Sequence, residues 1–195
     1  MNYNNTTALE TRHDVVKGSI SDIAQQTGKT LAESFMGADA IILFDISWSM
    51  SDADCAGGQT RWEVGKKELE KLQRDIPGKL AIVTFSDDVN FVPDGAIMSP
   101  QNGTDLARGL NFIFPADAIK GMRFVVISDG EPSDEESALD AARKFTNPID
   151  TVYVGPETGS GREFLKKLAK QAGGQFMLKP KLALLAEGVH GLLGA

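Results

Sequence analysis

The sequence predicts an α/β fold of the doubly wound, Rossmann-like class, with a mostly parallel central sheet, helices on both faces and one short irregular edge strand. Short and nearly continuous apolar runs recur along the chain, at Ala40–Asp45, Leu80–Phe85, Met122–Ser128, Ile149–Val154 and Gln175–Leu178. Runs without apolar–polar alternation belong to strands buried on both faces, which is the habit of parallel sheets. Segments of helical period separate these runs, and strand–helix alternation marks a sheet covered on both sides.

The helical segments follow in order. Trp62, Gly65, Leu69, Leu72 and Ile76 recur at alternating intervals of three and four residues, and Pro77-Gly78 stops the run. A second helix is expected from Thr104 to Ile113. Ser133 and Glu136 form a capping-box signature that opens a third, running to about Phe145. Phe164, Leu165, Leu168 and Ala169 mark a fourth, closed by Gly173-Gly174, and Leu182–Leu193 reads as a fifth. The stretch Phe91–Met98 contains Pro93 and Gly95, so it admits only an irregular edge strand. Upstream, Val16, Ile20, Ile23, Ala24 and Leu31 have helical spacing interrupted by Gly18 and Gly28. One broken helix or two short ones are expected there, after a polar stretch at residues 1 to about 12. The domain organisation is therefore an N-terminal helical extension over 1–37 and an α/β domain over 38–195.

A chain of 195 residues fits one domain with an appendage and buries a core without crosslinks. The net charge of −7 leaves no basic surplus to displace counterions from nucleic acid or to dock on an anionic membrane. The single cysteine, Cys55, excludes an intrachain disulfide and favours a reducing compartment. The N-terminus lacks the basic and apolar regions of a signal peptide, and no apolar run reaches the roughly 20 residues of a membrane span. A cytoplasmic location is expected.

Two strands end in aspartate. Asp45 closes the first and is followed by Ser47 and Ser49; Asp129 closes the run Phe124–Ser128 and precedes Gly130. Between them, Gly103-Thr104-Asp105 opens a helix. Ligands of open α/β sheets bind outside the carboxyl ends of the strands, at a topological switch point. Asp45, Ser47, Ser49, Thr104 and Asp129 therefore form a candidate set of oxygen donors on three loops. Such a set suits a hard cation, Mg²⁺ first, with Mn²⁺ or Ca²⁺ as alternatives.

Asp45-x-Ser47-x-Ser49, the later Gly103-Thr104 and the strand-ending Asp129-Gly130 resemble, in that order, the von Willebrand factor A family. Val83-Thr84-Phe85-Ser86 and Ile127-Ser128-Asp129-Gly130-Glu131-Pro132 are similar to its intracellular prokaryotic members. The resemblance covers Ala38 onward and implies a metal-ion-dependent adhesion site. It implies Ser47, Ser49 and Thr104 as direct ligands, with Asp45 and Asp129 acting largely through water. Neutral hydroxyls leave much of the cation's charge uncompensated, so a Glu or Asp of a protein partner completes the shell. Trp48 stands where the family commonly has a small residue; its indole lines a partner groove or partly covers the metal. Trp48 and Glu131 are expected on the partner-facing rim. The oligomeric state is open.

Two other functions compete. One is a structural scaffold whose metal site is degenerate. The other is an aspartate-based phosphotransferase, which needs an acid two residues after the nucleophile. Ser47 occupies that position, and neither His13 nor His190 sits in a motif that would activate a serine. The chain is therefore expected not to be an enzyme.

Overall fold

The computed structural model describes residues 15–155 and 159–178. At its centre lies β1 (Ala40–Asp45), paired in parallel with β2 (Leu80–Phe85) on one side and β4 (Arg123–Ser128) on the other. Beyond β4 the sheet continues in parallel through β5 (Ile149–Tyr153) and β6 (Gly173–Leu178). The short β3 (Val89–Phe91) closes the β2 edge as the antiparallel strand. Among the described residues the order is β3-β2-β1-β4-β5-β6, the mixed, mostly parallel sheet of a Rossmann-like fold.

Every residue of β1 and β2 is buried, so alternate side chains fill two separate cores. Ile41 and Leu43 meet Val83, Phe124 and Val126 on one face, while Ala40, Ile42 and Phe44 meet Leu80, Val125 and Ile127 on the other. Helix α3 (Arg61–Asp75) packs Leu69 and Leu72 into the second core. The first core receives Leu110 from α4 (Leu106–Ile113), Leu139 from α5 (Glu135–Ala142) and Leu165 from α6 (Gly161–Gln171). The chain thus leaves β1 across one face and β4 across the other. Their carboxyl ends diverge and create the switch-point crevice.

The two N-terminal helices are α1 (Ile20–Thr27) and α2 (Leu31–Phe35), separated by Gly28 in a left-handed cap at φ 69°. Their docking is not legible in the pattern. The Ser21 N–H donates to the Pro93 carbonyl and the Gly78 N–H to the Gly18 carbonyl, each at 2.8 Å. The Phe35 ring stands edge-on to Phe91 at 5.7 Å, and Ile20 is buried in the first core. Gly78 precedes β2 and Pro93 follows the antiparallel β3, so the extension sits at the amino-terminal edge of the sheet, away from Asp45.

Several expected boundaries shift for identifiable reasons. The edge strand is Val89–Phe91 and not Phe91–Met98, because Pro93 has no N–H to donate and Gly95 turns the chain at φ 76°. The cap of α5 is Asp134, whose carboxylate accepts the Ser137 N–H at 3.0 Å; Ser133 is engaged elsewhere, and the helix ends at Ala142. Gly173-Gly174 opens β6, leaving Ala172 to close α6. The helix expected at Leu182–Leu193 and the polar stretch at 1–12 lie outside the described residues. Among the described residues, no helix is long and apolar enough to cross a membrane.

The closeness of α3 to the sheet depends on Gly65. A Cβ there would lie 2.6 Å from Cζ of Phe44, so the ring of β1 occupies the side-chain space of the helix. Gly65→Ala is expected to lose about 1–3 kcal/mol by overpacking despite alanine's better helix propensity. In a Phe44→Leu background, which removes the ring edge, the same change should be neutral or stabilising. Urea denaturation of the four proteins measures this, and equal effects in both backgrounds would refute the close-approach explanation.

Candidate functional site

Asp45 ends β1 fully buried, with both carboxylate oxygens engaged. Oδ1 accepts the Ser47 N–H at 2.7 Å, and Oδ2 accepts the Ser128 hydroxyl at 2.6 Å. The first contact is an Asx turn, which bends the chain out of the strand at the aspartate. A 3₁₀ turn over Trp48–Ser51 follows, and it brings the Ser47 and Ser49 hydroxyl oxygens to 3.0 Å of one another. Trp48 is 66% exposed between them.

Ser128 joins this loop to the next. Its hydroxyl oxygen accepts the Gly130 N–H at 2.8 Å while donating to Asp45. Gly130 is at φ 80°, and a Cβ there would lie 2.3 Å from the Gly161 carbonyl oxygen, so the turn after β4 lies directly on the start of α6. That packing holds Asp129 inward, 5% exposed. Its Oδ2 accepts from Arg61 Nη1 at 2.9 Å, whereas its buried Oδ1 has no hydrogen-bond partner among the described residues.

The third loop reaches both others through its backbone. The Gln101 N–H donates to the Ile46 carbonyl at 2.7 Å, and Ser133, four residues after Asp129, donates its N–H to the Thr104 carbonyl at 3.0 Å. Thr104 does not cap α4. Asp105 does, accepting the Arg108 N–H at 2.9 Å, and the Thr104 hydroxyl makes no hydrogen bond among the described residues. Thus Asp45, Ser47 and Ser49 are linked directly, Asp129 joins them through Ser128 and Arg61, and Thr104 is tethered through its own main chain to the Ser133 N–H and hydroxyl. Glu131 is exposed and accepts from the Ser160 hydroxyl. With Ser49, Asp52, Arg61, Asp129 and Tyr153 it lines a cavity of about 140 Å³.

Sequence reasoning missed Arg61 and Ser128. Arg61 is 6% exposed and lies across the site. Its Nε donates to both Asp54 oxygens at 3.0 and 3.1 Å, Nη2 pairs with Asp54 and, at 3.4 Å, with Asp52, and Nη1 reaches Asp129. A signal existed: an arginine at the first position of a capped helix opposes the helix dipole, and Asp52 and Asp54 precede it. Hydrogen bonding to Arg61 holds the Asp54 carboxyl below its usual range. Asp45 goes the other way. Burial first, then the charge of Asp129, push it up to about 7, against the hydrogen bonds from Ser128 and Ser47.

Among the described residues, no cluster of three or more His, Cys, Asp or Glu side chains is arranged to hold a metal. A cation at this site would depend on hydroxyl ligands as well as carboxylates. The donor chemistry fits one: two buried aspartates, paired serine hydroxyls, a spare threonine hydroxyl and an orphaned oxygen on Asp129 are all hard ligands.

No protein-family model and no curated protein matches the chain. Solved structures do. An aerotolerance-related membrane protein from Bacteroides fragilis superposes with a TM-score of 0.62 at 16% identity, over 81% of this chain and 99% of that one. Manganese-loaded TRAP protein from Plasmodium vivax gives 0.56 at 13% identity, over 81% of this chain and 74% of that one. A von Willebrand factor type A protein from Catenulispora acidiphila gives 0.52 at 16% identity, over 79% of this chain and 41% of that one. At such identities the likeness shows the fold alone, which is that of von Willebrand factor A-type domains.

Because Asp45 is raised from 3.8 to about 7, the folded protein holds a proton that the unfolded chain has lost between those values. The stability this group contributes is present at low pH and lost as pH rises through the folded value. In chelator, the melting temperature of wild type relative to Asp45→Asn should therefore fall between about pH 4 and pH 7. Identical profiles for the two proteins would show that Asp45 does not titrate in this window.

Proposed function

We propose that the chain is a divalent-cation-dependent protein-interaction module that recognises an acidic residue of a protein partner. The observation that carries this reading is the buried Oδ1 of Asp129, which has no hydrogen-bond partner among the described residues and lies beside a second buried aspartate and a pair of serine hydroxyls. Ser47, Ser49 and Thr104 would hold the ion, with Asp45 and Asp129 setting the charge behind them. Bound Mg²⁺ or Mn²⁺ supplies a hard Lewis acid with an exchangeable position for a partner's Glu or Asp. The exposed Trp48 and Glu131 then form the rim that the partner meets. Support for the ion class comes from the manganese-loaded Plasmodium vivax protein of the same fold.

A non-enzymatic role fits the geometry of Asp45. Its two oxygens are committed to hydrogen bonds and its side chain is buried, so it is poorly placed to attack phosphorus. A reducing, cytoplasmic setting is part of this reading, since a chain with one cysteine forms no intrachain disulfide. One observation favours a second reading, a metal-free interaction scaffold: Arg61 already places a positive charge on Asp129.

Trp48 offers a probe, since the chain has only two tryptophans. Titration with paramagnetic Mn²⁺ should quench its fluorescence saturably, reversibly with Mg²⁺, and Ser49→Ala and Thr104→Val should each weaken binding by about tenfold, roughly the loss of one ligand hydrogen-bond equivalent. Absence of saturable binding, confirmed by calorimetry, would leave the scaffold as the function.

A further inference from the structure

Arg61 is a fixed cation lodged where a second cation is expected to bind. Its guanidinium is almost as buried as the aspartate it faces, with side-chain exposures of 7% and 5%. It begins α3, where a positive charge is disfavoured by the helix dipole. What holds it there is a set of carboxylates on two loops: Asp54 and Asp52 from the loop after β1, and Asp129 from the loop after β4. Nη1 also approaches the Ser49 carbonyl at 3.4 Å, so the same nitrogen spans both loops.

The distribution of contacts on Asp129 is unequal. Oδ2 is taken by Arg61, and Oδ1 is buried without a partner among the described residues while Asp129 lines the small cavity beside Ser49. Removing one partner from a buried ion pair strands a charge at a cost of several kcal/mol, so the metal-free protein needs Arg61. A cation entering beside Oδ1 meets a carboxylate whose charge is already half-spent and a like charge within a few ångströms, where the repulsion is only weakly screened.

We propose that Arg61 is the resident counter-cation of this site: it neutralises Asp129 while no metal is bound, and it shares that carboxylate with an incoming divalent ion, so that it sets the ion concentration at which the site loads. The inference rests on the cation-dependent function proposed above. Arg61 keeps its forked pairing to Asp54 whichever oxygen of Asp129 is engaged, because a guanidinium carries five donors and Asp54 uses the Nε edge. The loop after β1 therefore stays anchored in both states, and the residue acts on metal binding through charge.

The test is Mn²⁺ titration, by tryptophan quenching and calorimetry, of wild type, Arg61→Gln and Arg61→Lys, with melting temperatures recorded in chelator and in Mg²⁺. Arg61→Gln should bind Mn²⁺ about tenfold tighter or more, melt at a lower temperature in chelator and gain more from Mg²⁺ than wild type. Arg61→Lys, which keeps the charge and loses the fork, should stay near wild type. Unchanged or weaker binding in Arg61→Gln, or equal tightening in both variants, would overturn the proposal and leave Arg61 a loop clamp. If Arg61→Gln does not fold, the wild-type Arg61 Nη1–H resonance, the one that faces Asp129, decides the question. It should shift with Mg²⁺ in step with the Trp48 indole, and a stationary signal overturns the proposal. Absence of binding in all three proteins removes the cation-dependent function itself and this inference with it. Binding confined to Arg61→Gln overturns the sharing of Asp129, and with it both the proposal and the cation-dependent function, and leaves Arg61 as a permanent replacement for the metal.

Discussion

Two aspartate carboxylates held close together at the end of a buried parallel strand pair are the constraint around which the carboxyl edge of this protein is built. β1 and β4 are neighbours in the sheet, so the residues that finish them are brought together by backbone pairing, whatever their charges prefer. Each is removed from water, and a buried carboxylate without compensation is among the costliest things a fold can contain. The surroundings are a set of partial answers to that cost. Ser128 and the Ser47 N–H serve Asp45, and Arg61 serves one oxygen of Asp129. One oxygen is left over, and the chemistry of the site turns on it.

The compensation also explains the local geometry. The turn after β1 exists because Asp45 captures the amide two residues on, which places two serine hydroxyls side by side. The turn after β4 is pressed onto α6 because neither Gly130 nor Gly161 carries a side chain, which keeps Asp129 inward. Arg61 sits at the start of a helix that a Thr60–Glu63 capping box begins firmly, so its long side chain is aimed back over the loops from a rigid base. Electrostatic need, turn chemistry and helix capping converge on one small volume, and a functional site gains precision from such rigid support.

The opposite edge of the sheet has a separate economy. α1 and α2 rest on the amino-terminal end, tied to Pro93 and Gly78 by main-chain bonds and to Phe91 by an aromatic contact. The sheet lies between these helices and the aspartates. The described part of the extension therefore supports the core and makes no contact with the candidate site.

The sequence alone determined the buried parallel strands and put the candidate oxygen donors in the loops after their carboxyl ends. β1 and β2 were legible to the residue, because six-residue apolar runs can be buried on both faces in only one way, and strand-ending aspartates in a doubly wound pattern point to the switch point. Competing caps were not legible: Asp134 displaced Ser133 because neighbouring polar residues have nearly equal propensity, and loop contacts decide between them. Only the tertiary structure decided which charges meet. Arg61 lies 68 residues from Asp129, and no periodicity or motif records a contact of that span. Local sequence carries the turns and the pattern of burial. Pairing between distant charges is set by the order of strands in the sheet, which is a property of the whole chain.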